Sequence, residues 1–243
     1  MAKQTDPQTC ALFNTPTNKP IVKKLEDAGM KVFKIPPPKT EPLPIGEGDL
    51  DVIRNLEALD WLVFFDVFSV DHFLAILEQN GFDPFELDRV RVCALGEATA
   101  DRLRLFQVHS DLIPTSYRPV DVLSGFLEYA QTEDLGGLKI LFLRGNGGKT
   151  ELEVEFKKKG ADLIEMPLYR FLKAEEGITN LTALLAGGAI DEFIFSAPED
   201  MVRLRWLIPE ESFAELLGEV RFRASDNLML QSINETGLKA SLI

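Results

Sequence analysis

The sequence predicts an α/β protein made of two doubly wound parallel-sheet domains, joined by a two-stranded linker. Three observations predict it. Short apolar runs alternate with stretches of helical spacing. The chain repeats itself at an offset near 130 residues. Two proline-bearing connectors divide it into three pieces.

The first repeat pair opens with Leu12-Phe13 before the polar turn Asn14-Thr15-Pro16, matched by Leu141-Phe142-Leu143 before Arg144-Gly145-Asn146. A basic amphipathic segment ending in Gly follows each, Lys23 to Gly29 and Lys157 to Gly160. Each then has an apolar stretch closed by Pro, Val32 to Pro36 and Leu163 to Pro167. The second pair is Leu59–Phe64 against Ile190–Phe195, and the third is Arg91–Gly96 against Val220–Ser225. The offset of 131 recurs at Gly29/Gly160, Pro36/Pro167 and Asp60/Asp191, which points to a duplication.

The runs Leu62–Phe65, Val90–Leu95, Ile140–Leu143 and Phe193–Phe195 are short, apolar and bounded by turns or charges, as buried parallel strands are. Val70–Gln79, Glu97–Leu105, Pro119–Ala130 and Thr179–Ala186 carry apolar residues near the 3.6 spacing of helices. Residues 35–44 hold prolines at 36, 37, 38, 42 and 44. These lack backbone donors and exclude a helix or a central strand, so the segment is an extended connector. Its counterpart in the repeat is Met166–Phe171. The two connectors define a discontinuous domain, 1–36 plus 168–243, and a continuous inserted domain, 40–165. Two extended connectors without a large interface predict hinge motion.

Composition narrows the function. The net charge is −13. Residues 40–165 hold 24 acidic and 12 basic side chains, and the remainder 15 and 14. A basic nucleic-acid footprint is missing. No run reaches the roughly 20 apolar residues of a membrane span, and the polar start MAKQTDPQTC has no signal-peptide core, so a cytoplasmic protein is expected. Two cysteines and two histidines, Cys10, Cys93, His72 and His109, are too few for a disulfide framework or an ordinary zinc site. The two histidines are expected on the surfaces of their elements.

Several stretches, in this order and spacing, resemble uroporphyrinogen-III synthases. They are Leu95-Gly96-Glu97-Ala98-Thr99-Ala100, Ile113-Pro114, Gly137–Gly145, Gly160-Ala161-Asp162, Pro167-Leu168-Tyr169-Arg170 and Ile190-Asp191 through Phe195-Ser196, with Glu41-Pro42-Leu43 in the first connector. The resemblance covers most of the chain and is strongest over 90–196. It implies a lyase that closes the linear tetrapyrrole hydroxymethylbilane into uroporphyrinogen III, inverting the last ring and losing water. It also implies a monomer without metal or organic cofactor.

The resemblance also implies a cleft between the two domains, and by it Tyr169 faces that cleft and helps the terminal hydroxyl leave, a task a neutral phenol can perform. Thr99, at the start of a helix after a strand, is expected to greet one of the substrate's eight carboxylates. Arg144, Gly145 and Asn146 form a glycine-rich turn without Walker spacing, suited to a carboxylate. Ser196, after its strand, can donate to a carboxylate or cap the next helix. Each has a plain alternative: a hinge-packing tyrosine, an ordinary helix start, an ordinary strand-to-helix turn.

The chain also departs from the family. Asn14-Thr15-Pro16 stands where a Thr-Arg-Pro-like turn is usual, and Phe65-Asp66 where Thr-Ser is usual. Asp226 and Met229 replace a glycine and a threonine near the C-terminus. A carboxylate at Asp66 would repel a carboxylate ligand. The alternative function is therefore an inactive synthase-like protein that binds a tetrapyrrole, another anionic ligand or a protein partner. A two-domain small-ligand sensor is a third class with the same layout.

Overall fold

Parallel strands need both faces covered, and the chain meets that demand twice. The computed structural model describes residues 8–15, 18–114, 118–147, 151–172, 179–208 and 210–243. They divide between two units, one formed by Met1–Lys39, Leu172–Asn234 and Leu238–Ile243, the other by Thr40–Phe171 and Glu235–Gly237.

In the first unit β1 (Thr9–Phe13), β2 (Lys31–Ile35), β8 (Glu192–Phe195), β9 (Arg221–Ala224) and β10 (Ala240–Leu242) make a parallel sheet ordered β10-β9-β8-β1-β2. Cys10, Leu12 and Ile194 pack on one face with Val22 and Leu25 of α1 (Lys19–Asp27). Ala11, Phe13, Phe193, Phe195 and Phe222 pack on the other. That face meets α7 (Thr179–Ala186), α8 (Pro198–Leu207), α9 (Glu210–Leu217) and α10 (Asn227–Glu235) through Leu185, Leu204, Leu217 and Ile233. Odd and even strand positions part to opposite faces, as the pleat requires.

The second unit has β3 (Thr40–Pro42), β4 (Trp61–Phe64), β5 (Arg91–Ala94), β6 (Lys139–Gly145) and β7 (Asp162–Phe171), ordered β3-β7-β6-β4-β5. All pairs are parallel except β3 with β7, where Thr40 faces Phe171 and Pro42 faces Tyr169. Leu62, Phe64, Leu141 and Leu143 meet α3 (Val67–Gln79) and α4 (Glu97–Arg104), with Ile53 of α2 (Glu47–Arg54) in the same cluster. Trp61, Val63 and Phe142 meet α5 (Pro119–Ala130) and α6 (Glu151–Lys158) through Phe126 and Phe156.

The repeat is visible atom by atom. Thr9 N–H donates to the Asp191 carboxylate at 2.7 Å, and Asp191 N–H donates to the Thr9 carbonyl at 2.8 Å. Lys139 N–H donates to the Asp60 carboxylate at 2.9 Å, and Asp60 N–H donates to the Lys139 carbonyl at 2.9 Å. The carbonyls of Asp60 and Asp191 then accept from Arg91 N–H and Arg221 N–H, at 3.3 and 3.0 Å. Each aspartate thus ties together the amino ends of its neighbouring strands. Gly29 and Gly160 end α1 and α6 at φ +79° and +85°, a left-handed cap that glycine adopts without steric cost. Strands β9-β8-β1-β2 correspond to β5-β4-β6-β7.

The connectors differ from expectation in one respect. Residues 168–171, assigned above to the discontinuous domain, run on as the end of β7. Pro167 does not stop the strand because the ladder shifts register there, Arg144 pairing with Pro167 and Gly145 with Tyr169. Beyond the shift β3 supplies the second partner, and Pro42 sits on this edge strand, where its missing donor is tolerated.

Phe142 is fully buried between Phe65, 5.1 Å away centroid to centroid, and Phe156, 5.4 Å away. Phe142→Ala is expected to cost about 3–5 kcal/mol of stability, read from urea unfolding. A loss under about 1 kcal/mol would contradict this packing.

Candidate active site

Ligands of open α/β sheets bind beyond the carboxyl ends of the strands, where the strand order reverses. In the second unit the reversal lies between β4 and β6. Asp66 follows β4, Gly145 ends β6, and Tyr169 lies beside Gly145 on β7.

Asp66 is the N-cap of α3. One carboxylate oxygen, Oδ1, accepts from Ser69 N–H at 2.8 Å, and Ser69 Oγ lies 3.2 Å from the Asp66 nitrogen, closing a capping box. The other oxygen, Oδ2, accepts the Tyr169 phenol at 2.7 Å. Tyr169 is 2% exposed. Its ring stacks on His72, centroids 5.1 Å apart and planes 14° apart, and Phe68 and Phe171 close its sides. His72 Nε2 lies 3.2 Å from Thr40 Oγ1. The fourth wall is a missing side chain: a Cβ on Gly145 would stand 2.9 Å from Tyr169 Cζ and 3.1 Å from its hydroxyl. Asn146 N–H donates to the Tyr169 carbonyl at 2.7 Å.

The electrostatics follow from burial. Burial pushes the Asp66 carboxyl up to about 6, against the pull of hydrogen bonds from Tyr169 and from backbone N–H groups of Ser69 and Phe68; the charge of Asp71 adds to the rise. Burial, then the Asp66 charge and hydrogen bond, raise the Tyr169 phenol far above its usual range, so it keeps its proton. Burial lowers His72, with Asp71 opposing.

The expected site residues separate. Tyr169, Gly145 and Asn146 come together. Arg144, one residue before Gly145, points to the opposite face of the sheet. It is ion-paired with Glu153 of α6 at 2.6 Å and Glu165 of β7 at 3.1 Å, so its charge is already engaged within the protein. Thr99 sits in the first turn of α4 and is 1% exposed, turned into the packing. Ser196 belongs to the first unit. Its N–H donates to Asp200 Oδ2 at 3.1 Å, and its hydroxyl, with a single proton, lies between Asn18 Oδ1 and the same Asp200 oxygen. Asp200 accepts from Ala197 N–H as well, and burial raises its pKa. Ser196 is thus bound into the start of α8. Gly148 and Lys149, and Pro16 in the first turn, lie outside the described residues.

Two substituted turns have a local reason. Asp66 and Asp226 are helix N-caps, Asp226 accepting Met229 N–H at 2.9 Å. Met229 is a core residue of α10. His72, expected on a surface, lies against Tyr169. The Asp66-to-Ser69 spacing after a strand reads as a cap, but nothing in it marks a tyrosine 103 residues away.

Both charges, Arg144 buried and Asp66 half-buried, can be tested through stability. Arg144→Met takes the cation from the buried Glu153 and is expected to cost about 3–5 kcal/mol. An unchanged denaturant midpoint would return Arg144 to the candidates for ligand binding. Asp66 holds its proton more tightly folded than unfolded. Its contribution is therefore complete below pH 3.8 and is lost as pH rises through about 6. Asp66→Asn is expected to be the more stable protein at pH 7, by up to about 3 kcal/mol, with the gap closing toward pH 4. A gap independent of pH, in paired urea titrations, would contradict the raised carboxyl.

Comparison with known proteins bears on the whole chain. The family model described as Uroporphyrinogen-III synthase HemD matches residues 19–243. The chain is similar in structure to a mutant uroporphyrinogen III synthase of the extremely thermophilic bacterium Thermus thermophilus. The TM-score is 0.66 at 19% identity, over 97% of this chain and 92% of that one. For the wild-type native form of that enzyme the TM-score is 0.61 at 20% identity, over 96% and 91%. At such identities these structures speak for the shared fold, and the family model speaks for descent. With the match running from α1 to the last strand and taking in the strand that carries Tyr169, the chain belongs to the uroporphyrinogen-III synthase family.

Proposed function

We propose that this chain closes hydroxymethylbilane to uroporphyrinogen III, and that Tyr169 is the group that meets the leaving hydroxyl. The reaction is that of its family and a step of tetrapyrrole biosynthesis. The observation that supports Tyr169 is its place: a phenol that stays protonated, on the rim where the strand order reverses, with a glycine beside its hydroxyl.

The chemistry asks little of the protein. A hydroxyl must leave as water from a pyrrole-bearing carbon, and the cation left behind must be held folded until the far ring attacks. A phenol within hydrogen-bond reach assists the first event. Positioning of the chain ends supplies much of the rest. The turn after Gly145 and the first turns of α4 and α8, which Thr99 and Ser196 help to build, are the proposed places for substrate carboxylates. Arg144 serves the framework of this site. We further take the protein to act as a cytoplasmic monomer without nucleic acid, for which its sequence offers no basic footprint.

One observation favours the second reading, a synthase-like protein that binds without turnover. The Tyr169 proton is already directed to Asp66, and the residue is 2% exposed. A coupled assay separates the two. Porphobilinogen and excess hydroxymethylbilane synthase generate the substrate in place, and the oxidised type I and type III products are resolved. Type III product is expected to dominate, and Tyr169→Phe to slow its formation by about 100-fold or more, with a stability loss of only about 1–3 kcal/mol for the missing phenol–carboxylate hydrogen bond. Type I product alone from folded protein establishes the binding reading. A Phe variant of unchanged rate removes Tyr169 from the chemistry.

A further inference from the structure

A phenol has one proton to donate. Here that proton goes to Asp66 Oδ2, at 2.7 Å, while the other carboxylate oxygen is held by Ser69 N–H. With Asp66 ionised, the Tyr169 oxygen has only lone pairs left for a substrate, and a leaving hydroxyl needs a donor. We propose that Asp66 is the positioning residue that decides which way Tyr169 points its single proton, and so whether Tyr169 can act. The inference rests on the reading of Tyr169 given above.

When Asp66 carries a proton, Oδ2–H donates to the phenol oxygen and the phenol O–H turns outward. In the step that follows, the carbon–oxygen bond of the hydroxymethyl group breaks with its electron pair going to oxygen. The leaving oxygen takes the Tyr169 proton and departs as water. Tyr169 takes the Asp66 proton. Tyrosine is neutral again, Asp66 is an anion, and the substrate is a cation beside it. Solvent then returns the proton to Asp66.

The neighbours of the pair leave Asp66 as the group that titrates toward Tyr169. On α3, Asp71 is paired with Arg102 of α4 at 2.8 Å, and Ser69 is the capping hydroxyl. His72 stacks on the ring but directs Nε2 to Thr40 of β3. On β7, Arg170 is paired with Glu41 of β3. On β6, Arg144 is held by Glu153 and Glu165 on the far face. The Asp66 carboxyl stands at about 6, within reach of ordinary assay conditions.

The test is the pH profile of type III product formation, with the coupling enzyme in excess and the uncatalysed rate subtracted. The wild-type rate is expected to rise roughly tenfold from pH 7 to pH 5, following protonation of a carboxyl near 6. In Asp66→Asn the side-chain N–H donates to the phenol at every pH. The rise is then expected to shrink to about twofold or less, with a rate below that of wild type at pH 5, because the amide turns the phenol outward but cannot return its proton, and above that of Tyr169→Phe. His72→Gln is expected to keep the rise. A rise that persists in Asp66→Asn, or an Asp66→Asn rate as low as that of Tyr169→Phe at all pH values, overturns the inference. If Tyr169→Phe itself keeps the wild-type rate, the reading of Tyr169 has failed, and the inference falls with it. Should Asp66→Asn not fold, the wild-type protein decides. Its tyrosine difference absorbance between pH 5 and pH 7 is expected to show a transition near 6 that Tyr169→Phe lacks, and a flat titration overturns the proposal.

Discussion

Both sheets are parallel at their centres, and a parallel sheet must be covered on both faces. Most of the rest follows from that constraint. It forces helices between successive strands, and so places every strand-to-helix turn at the carboxyl edge. It turns strand positions alternately toward one helix layer or the other. It leaves the point where strand order reverses, between β4 and β6, as the place where turns diverge and side chains can face a ligand. Asp66 and Gly145 stand at that point because each ends its strand there.

The alternation explains the separation of neighbours. Arg144 and Gly145 are adjacent in sequence, yet the guanidinium is buried under α6 with two carboxylates while the glycine closes on the Tyr169 ring. The first unit answers the same geometry with other residues. At the offset of 131, Ala197 matches Asp66 as the N-cap, and the carboxylate has moved to Asp200, which takes Ser196 and Ala197 as donors. One unit thus uses its carboxylate to close its own helix. The other gives one oxygen to the helix and the second to a tyrosine.

Much of the layout was legible in the residues. Apolar runs bounded by turns marked the central strands. Spacing near 3.6 located α5 and α7, and the repeated aspartates and glycines marked corresponding positions of the two sheets. The proline connectors announced extended chain. The end of β7 was not legible, because the register shift that lets the strand pass Pro167 is a property of the pair, not of either strand. Tyr169 stood out by family resemblance, but Thr99 and Ser196 did not reveal that their own helices and neighbours would absorb them. Asp66 looked like an intruder in a carboxylate-binding turn. Its oxygens are taken by N–H groups of its own helix and by a phenol 103 residues away.

The sequence by itself determined the α/β class, the duplication and the family, since these rest on periodicity and on motifs strung along the chain. Tertiary structure alone decided which charges are paired inside the protein and with what. It set Arg144 on one face and Tyr169 on the other, brought His72 and Thr40 to the tyrosine, and gave Asp66 its raised carboxyl. The physical reason is that burial and hydrogen bonding depend on partners distant in sequence, while periodicity depends only on near neighbours.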